Sequence, residues 1–427
     1  MARRPVQPVV STATRLRTQG WVLLGLGLVW LTVLLWLWIP WDWVPGGHLG
    51  AVRATDVFTP KQIARAEEVS WPRRSLGWSS LAVSLAVTCW WGLTSRGRRL
   101  ALGWTGLASK RWWLQTLLVV GLVTLTVTLV TAPLDHLAYR RALAVGLSTQ
   151  SVGGWASDQA LTWLVTWVYS SVPALVVVGL GRRAPKSWPL WLAGAGVALT
   201  GLASFVQPLV IEPLFNDFTS MQAGPLRSDI EALAAREGVR LDDVLVADAS
   251  RRTTALNAYV SGIGSSRRVV VYDTLIDSAP REEVLVVVAH ELGHVKEHDV
   301  AIGTTLAALG VLAAVGALTL LLTGRGRAPR MPAGEVAVVP VVLALSAVGS
   351  LLASPVQSGA SRAIEARADR ISLQALGHEQ TFIDLHRRLA LRSYADPTPP
   401  AWSQWWFGSH PTVLQRVAIA RALSAQQ

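Results

Sequence analysis

Two histidines and a glutamate carry the clearest chemistry in this chain, in the order His290-Glu291-Leu292-Gly293-His294. On a helix, residues i and i+4 share a face, so both imidazoles can reach one metal ion. Glu291, about 100° round the axis, can then reach a water bound to it. Zinc with three protein ligands keeps a further position for water, lowers its pKa towards about 7 and polarises a scissile carbonyl, while the glutamate passes the proton to the leaving amine. An inverted pattern overlaps the first: His294-Val295-Lys296-Glu297-His298 offers His294 and His298 as ligands with Glu297 as base. Spacing leaves both open, and the plainer reading of Glu297, His298 and Asp299 is a solvated helix end beside a membrane. A third ligand must come from elsewhere. In the helical stretch Ser361 to Asp369, Glu365 and Asp369 stand at i and i+4, so one can bind metal while the other orients a ligand histidine. Read alone, such a stretch is a solvated face with internal ion pairs.

The elements that position these groups follow from local composition. Pro280 opens a helix with Glu282 and Glu283 in its first turn, where the helix dipole favours negative charge, and the apolar run Val284 to Val288 leads into His290. Before it, Ser228 to Glu237 reads as a helix stopped by Gly238. Val244 to Ala247 and Arg268 to Tyr272 read as strands, with a Gly/Ser turn at Ser261 to Ser266.

The rest of the chain is made for lipid. Of 427 residues 51% are hydrophobic and 15% charged, and seven apolar runs are long enough to span a bilayer: Trp21 to Pro40, Leu76 to Ser95, Trp112 to Leu134, Gln159 to Gly181, Trp188 to Ile211, Val300 to Gly324 and Val336 to Ser354. The first is too long for a cleavable signal peptide and is expected to remain as an anchor. Trp21, Trp41, Trp43, Trp78, Trp112, Trp113 and Trp188 stand at run edges, where amphipathic rings suit the headgroup layer. The single cysteine, Cys89, excludes a disulfide framework or thiolate cluster, so any metal must use histidines and carboxylates. The net charge of +12 is spread between spans, as lipid headgroups require, and does not indicate nucleic acid. The expected fold class is therefore mainly α. It is a polytopic protein of the cell membrane in four parts: five spans over 1–211, a polar α+β segment over 212–299, a two-span hairpin over 300–354 and a second polar segment over 355–427.

With those motifs in place, the chain resembles a known family. Asn257-Ala258-Tyr259-Val260-Ser261-Gly262, the stretch Val269 to Leu275, Ala289 to His294 with His298 after it, Ser361-Arg362 with Glu365 and Ala368-Asp369, and Ser409-His410-Pro411 are similar to the type I CaaX prenyl proteases, seven-span membrane zinc metallopeptidases. Glu212-Pro213-Leu214-Phe215-Asn216 resembles the segment where that family leaves its fifth span. The resemblance implies a chamber walled by the spans and one zinc per chain held by His290, His294 and Glu365. It implies Glu291 as general base and Asp369 as the partner that orients a ligand. Asn257 would stand beside a substrate-binding edge strand, His410 would steady the oxyanion, and Arg362 and Arg416 would lie near substrate. The implied activity is endoproteolysis of membrane-associated or lipidated polypeptides.

The bias of 35 Arg against 4 Lys, with abundant Ala and Trp, is that of GC-rich bacterial genomes, and it leaves a prenylated substrate open. Three alternatives remain at this point, one of them a catalytically silent membrane scaffold. Heat-shock-type quality-control metallopeptidases share the motifs but carry about four spans. A zinc transporter or sensor would place its ligands inside several spans. For orientation, 15 Lys and Arg flank the spans on the N-terminal face (Arg3, Arg4, Arg15, Arg17; Arg96, Arg98, Arg99, Lys110, Arg111; Arg182, Arg183, Lys186; Arg325, Arg327, Arg330) against 7 on the other. That bias predicts a cytoplasmic N-terminus and an outward catalytic segment, whereas the resemblance implies a cytosolic one.

Overall fold

The structure, a computed structural model, describes residues 11–108, 110–262, 267–324 and 331–426. Each apolar run forms a helix, because hydrocarbon offers no water to bond backbone N–H and C=O groups. The chain runs through α1 (Thr12–Trp38), α2 (Pro60–Leu93), α3 (Ser95–Ala108), α4 (Trp112–Ala144), α5 (Val152–Arg183) and α6 (Trp188–Val206). A π-helical turn, Gln207–Ile211, joins α6 to the short α7 (Glu212–Phe215). The other two spans are α11 (Asp299–Leu322) and α12 (Val339–Leu376), which gives seven helices long and apolar enough to cross a membrane among the described residues. Caps set several starts. Ser11 and Ser151 accept the N–H three residues on, and Thr59 and Gln62 cap each other ahead of Pro60. The helix α3 between spans was not legible in the run pattern, since its charged residues break the apolar stretch.

Neighbouring spans form a ring: α12 against α2, α2 against α4, α4 against α5, α5 against α6, and α6 against α11, with α1 packed outside on α11. Gly27 and Gly316 allow that last contact, since a Cβ on either would fall within 2.5 Å of a backbone nitrogen of the facing helix. The apolar core of the spans sits towards the N-terminal face, where Trp91, Val119, Val178, Trp188, Leu322 and Val339 are buried together. That core closes one end of the ring. The histidine helix lies at the other.

The helix of the last span does not stop at Pro355. The helix runs unbroken from Val339 to Leu376, so bilayer and catalytic segment share one rod. Proline removes the N–H that would have bonded to Leu351, and the orphaned Leu351 carbonyl instead accepts Trp406 Nε1 at 3.1 Å.

The polar segment holds a four-stranded sheet in the order β1-β2-β4-β3, made of β1 (Phe218–Ser220), β2 (Asp243–Ala247), β3 (Ala258–Ser261) and β4 (Arg268–Tyr272). Strands β2 and β4 are the two read from sequence, and they pair in parallel with Val244 opposite Val269. The short β1 and β3 were missed because three or four residues carry too little alternation, and part of the Gly/Ser turn after β3, residues 263–266, lies outside the described residues. Helices α8 (Pro225–Arg236), α9 (Asp273–Ser278) and α10 (Arg281–Lys296) pack on this sheet. Val284, Val288, Ala289 and Leu292 of α10 bury against Val244, Val269 and Val271, each worth about 1.5–3 kcal/mol where a large side chain is fully enclosed. Val286, on the other side of α10, meets Ala366 and Leu373 of α12, and Ser372 Oγ bonds to Val286 O at 2.8 Å. Glu283 is buried on Arg388 of α13 (Glu379–Ser393) at 2.7 and 3.0 Å rather than spent on the helix dipole. Helices α14 (Ala401–Phe407) and α15 (Val413–Ser424) complete the tail.

Counting spans puts the N-terminus on one face and α10, with the tail, on the other. Of the 15 counted basic residues Arg3, Arg4, Arg325, Arg327 and Arg330 lie outside the described residues, and the others sit at the N-terminal-face ends of the helices. From this bias we expect alkaline phosphatase fused after Gln427, a residue also outside the described set, to be active and green fluorescent protein at the same place to stay dark. Bright fluorescence with an inactive phosphatase would reverse the orientation.

Candidate active site

Helix α10 brings His290 and His294 to one face, and α12 crosses it so that Glu365 meets them. His290 Nε2 lies 3.1 Å from His294 Nε2 and 3.2 Å from Glu365 Oε2, and His294 Nε2 lies 3.5 Å from Glu365 Oε1. All three side chains are at most 20% exposed. The opposite ring nitrogens are both taken by carboxylates: His290 Nδ1 is 3.0 Å from Asp369 Oδ1, which is fully buried, and His294 Nδ1 is 2.9 Å from Asp299 Oδ2. An ionised carboxylate can only accept, so each Nδ1 carries the hydrogen, and a neutral imidazole then presents a lone pair at Nε2. When both imidazoles are neutral, two nitrogen lone pairs and a carboxylate therefore converge with no hydrogen among them.

That convergence favours a positive charge at its centre. Burial opposes charging of His290, but the hydrogen bonds and negative charges of Asp369 and Glu365 outweigh it and push the imidazole up to about 10. Burial also lifts the Glu291 carboxyl above its usual range, against the pull of His290 and His294. No protein group among the described residues hydrogen-bonds to Glu291, which leaves its carboxylate available to a small molecule beside the histidines.

Two arginines hold the carboxylates. Arg416 of α15 bonds to Asp369 and, at 3.2 Å, to Glu365 Oε2, while Arg367 bonds to Asp299 and, at 3.0 Å, to Glu297. Behind Arg416 lies His386, 3.1 Å away, whose other nitrogen donates to Phe382 O at 2.8 Å; burial first and then the charge of Arg416 push this imidazole down to about 3, so it is neutral.

Comparison with known proteins accounts for this arrangement. The sequence model of peptidase family M48 matches residues 220–424, and that of the CAAX prenyl protease N-terminal region, five membrane helices, matches 51–217. An uncharacterized metalloprotease of Bacillus subtilis, YhfN, is 31% identical over 72% of this chain and 74% of its own length. The chain belongs to peptidase family M48. CAAX prenyl protease 1 of Saccharomyces cerevisiae is 29% identical over 44% of this chain and 42% of its own. The crystal structure of S. mikatae Ste24p superposes with a TM-score of 0.75 at 19% identity, over 97% of this chain and all of that one, and so shares the fold. This M48 peptidase is thus a metalloendopeptidase of the membrane, CAAX prenyl protease-like, with its spans arranged round a chamber.

The remaining residues singled out from sequence fall in distinct places. Asn257 is exposed at the start of the edge strand β3, which packs on α10, and its carbonyl accepts Tyr272 N–H at 3.0 Å. His410, on the loop between α14 and α15, is 59% exposed and brings Nε2 to 3.4 Å from Glu365 Oε2. Arg362 donates to the carbonyls of Gln404 and Gly408 at 2.9 and 2.5 Å, beneath the loop that carries His410. Arg416 is enclosed by the carboxylates of the site itself.

One expectation is corrected. Glu297, His298 and Asp299 are not uniformly a solvated end: His298 is exposed and takes a left-handed conformation (φ 57°) that breaks the helix, so it does not share a face with His294, whereas Asp299 is almost buried on His294 and Arg367. Asp299, Arg367 and His386 were missed. The available signal was Arg367 two positions after Glu365, which places it on a different side of α12, facing the α10–α11 junction.

Because His290 is protonated below about pH 10 when no metal is held, metal uptake must displace one proton there. The apparent affinity for Zn2+, measured by chelator competition, is expected to rise about tenfold per pH unit between pH 6 and 8. A flat profile would place the metal away from His290.

Proposed function

We propose that this M48 peptidase is a zinc-dependent endopeptidase of membrane-associated polypeptides, with one zinc held by His290, His294 and Glu365 and with Glu291 as general base. The observation that carries this reading is the convergence of three lone pairs at 3.1–3.5 Å. Zinc–ligand bonds of about 2.0–2.1 Å in a tetrahedron put neighbouring ligand atoms roughly 3.3 Å apart, close to the spacings of the two nitrogens and of each nitrogen from its nearer carboxylate oxygen, so the donor set suits the ion. Zinc there supplies Lewis acidity, which makes water a nucleophile near neutral pH and polarises the scissile carbonyl.

Each side chain then has a task. Asp369 and Asp299 fix the tautomers and ring planes of His290 and His294, and Arg416 and Arg367 fix those aspartates. Glu291 takes the proton from the attacking water and gives it to the leaving nitrogen. A substrate in extended form adds to the open edge of β3, with Asn257 at the start of that strand. His410 lies on the exposed side of Glu365, where it can donate to the oxygen that becomes negative, and Arg362 positions its loop. Residues 212–299 and 355–427 form one catalytic unit in this reading, with the α11–α12 hairpin between them. A transporter would need its ligands within several spans, whereas His290 and His294 stand on a helix outside them. The named relatives suggest lipidated polypeptides as candidates within the substrate class.

The test is cleavage of peptides by the detergent-solubilised chain with and without a chelator. Glu291→Gln is expected to keep one zinc by elemental analysis and lose activity by at least about 100-fold, since an amide cannot take the proton. Activity within a few-fold of wild type would remove Glu291 from the mechanism. Glu365→Ala should lose the metal, while Asp369→Ala should weaken its binding by about 10 to 100-fold. Unchanged zinc in Glu365→Ala would mean that the third ligand lies elsewhere.

A further inference from the structure

On the face opposite the histidines, a cavity of about 680 Å3 opens between the start of α4, the end of α5 and the segment leading into α12. Lys110, Arg111, Trp112, Trp113, Arg182 and Glu335 line it. The Arg182 guanidinium is fixed in the wall: it lies 5.8 Å from the centre of the Trp112 ring and donates to Gly334 O at 3.1 Å. Trp113 and Glu335 are exposed, as are the three basic residues. Lys110 and Arg182 outnumber the carboxylate of Glu335 in the lining, so the cavity attracts anions. Its depth is set by the helices: Trp112 is the first residue of α4 and Arg182 and Arg183 the last of α5, which puts it at the headgroup layer of that leaflet.

We infer that this cavity binds the phosphodiester headgroup of an anionic phospholipid. Lys110 and Arg182 converge on the phosphate oxygens, and the Trp112 and Trp113 rings lie along the glycerol and the first acyl carbons. A soluble phosphate offers the same anion but gives the rings nothing to cover. General attraction of the basic face to an anionic leaflet would need no cavity, whereas here the charges line one that is open to the surface. Helices α4, α5 and α12, which meet at the cavity, also contact one another along the ring, so a lipid held there braces the closed end of the chamber.

The test uses the full chain, delipidated in detergent, mixed with phosphatidylglycerol or phosphatidylcholine and examined by native mass spectrometry. Wild type is expected to retain phosphatidylglycerol preferentially, and millimolar inorganic phosphate should not displace it. Lys110→Gln with Arg182→Gln should lower that retention roughly tenfold or more. Arg96→Gln with Arg99→Gln removes the same charge from α3, outside the cavity, and should leave retention unchanged. Equal behaviour of the two double variants would overturn the site. Displacement by inorganic phosphate would assign the cavity to a soluble anion and overturn the lipid. Should the first double variant melt early, Glu335→Gln decides, because removing the one opposing carboxylate should raise retention about two- to threefold. No increase there would overturn the proposal as well.

Discussion

The contact on which this molecule depends is the crossing of α10 and α12, where two imidazole nitrogens 3.1 Å apart meet the Glu365 carboxylate, at 3.2 Å to Oε2 from His290 and 3.5 Å to Oε1 from His294. Like-signed lone pairs at these distances repel, so the crossing is held by everything around it. Apolar packing of Val286 against Ala366 and Leu373, and the buried bond from Ser372 to Val286 O, clamp the helices. The sheet presses α10 from its other side. Arg416 and Arg367 tie the surrounding carboxylates to α15 and to the α10–α11 junction. Removing one partner from such a buried charged network costs more than a surface pair would, because the other charges are left unpaired in low dielectric.

The same crossing explains why the membrane part is continuous with the site. Glu365 lies on the helix that begins at the opposite membrane face, and the uninterrupted rod past Pro355 transmits the position of the span to the carboxylate. Trp406, whose indole satisfies Leu351 O, lies on α14, just before the loop that carries His410. The bilayer boundary, the relief of the proline and the placement of His410 are therefore one packing unit. A shift of α12 along its axis would move Glu365 and the His410 loop together.

How much of this was legible depends on the range of the physics involved. The spans were readable because hydrocarbon imposes a length and composition on every segment that crosses it, and the α10 spacing was readable because i and i+4 always share a helical face. Pairings between distant segments were not. Asp299 follows a helix break that only the left-handed His298 creates, and nothing in its neighbours announces that it turns back onto His294. His386 gains its role from α15, thirty residues on, through Arg416. The continuation of the helix past Pro355 was not legible because it depends on a distant donor, Trp406, that meets the carbonyl the proline orphans. Strand β3 was too short to carry a period, yet the hairpin with β4 gives it four paired residues.

Charge balance ties these particulars to the chemistry. Glu291, Glu365, Asp369 and Asp299 bring four carboxylates into one largely enclosed site; Arg416 and Arg367 offset two, and His386, held neutral, offsets none. Glu297 is about a third exposed and is screened by solvent, so it changes the local sum little. The site is therefore short by two positive charges, and the proton that His290 takes at a pKa near 10 supplies one of them. A divalent cation supplies both and needs no proton on any ligand, which leaves Glu291 ionised beside it and able to accept one. Arginines at the outer carboxylates thus do more than fasten them. On the proposed reading they set the residual charge so that the site suits a doubly charged ion and leaves Glu291 ionised.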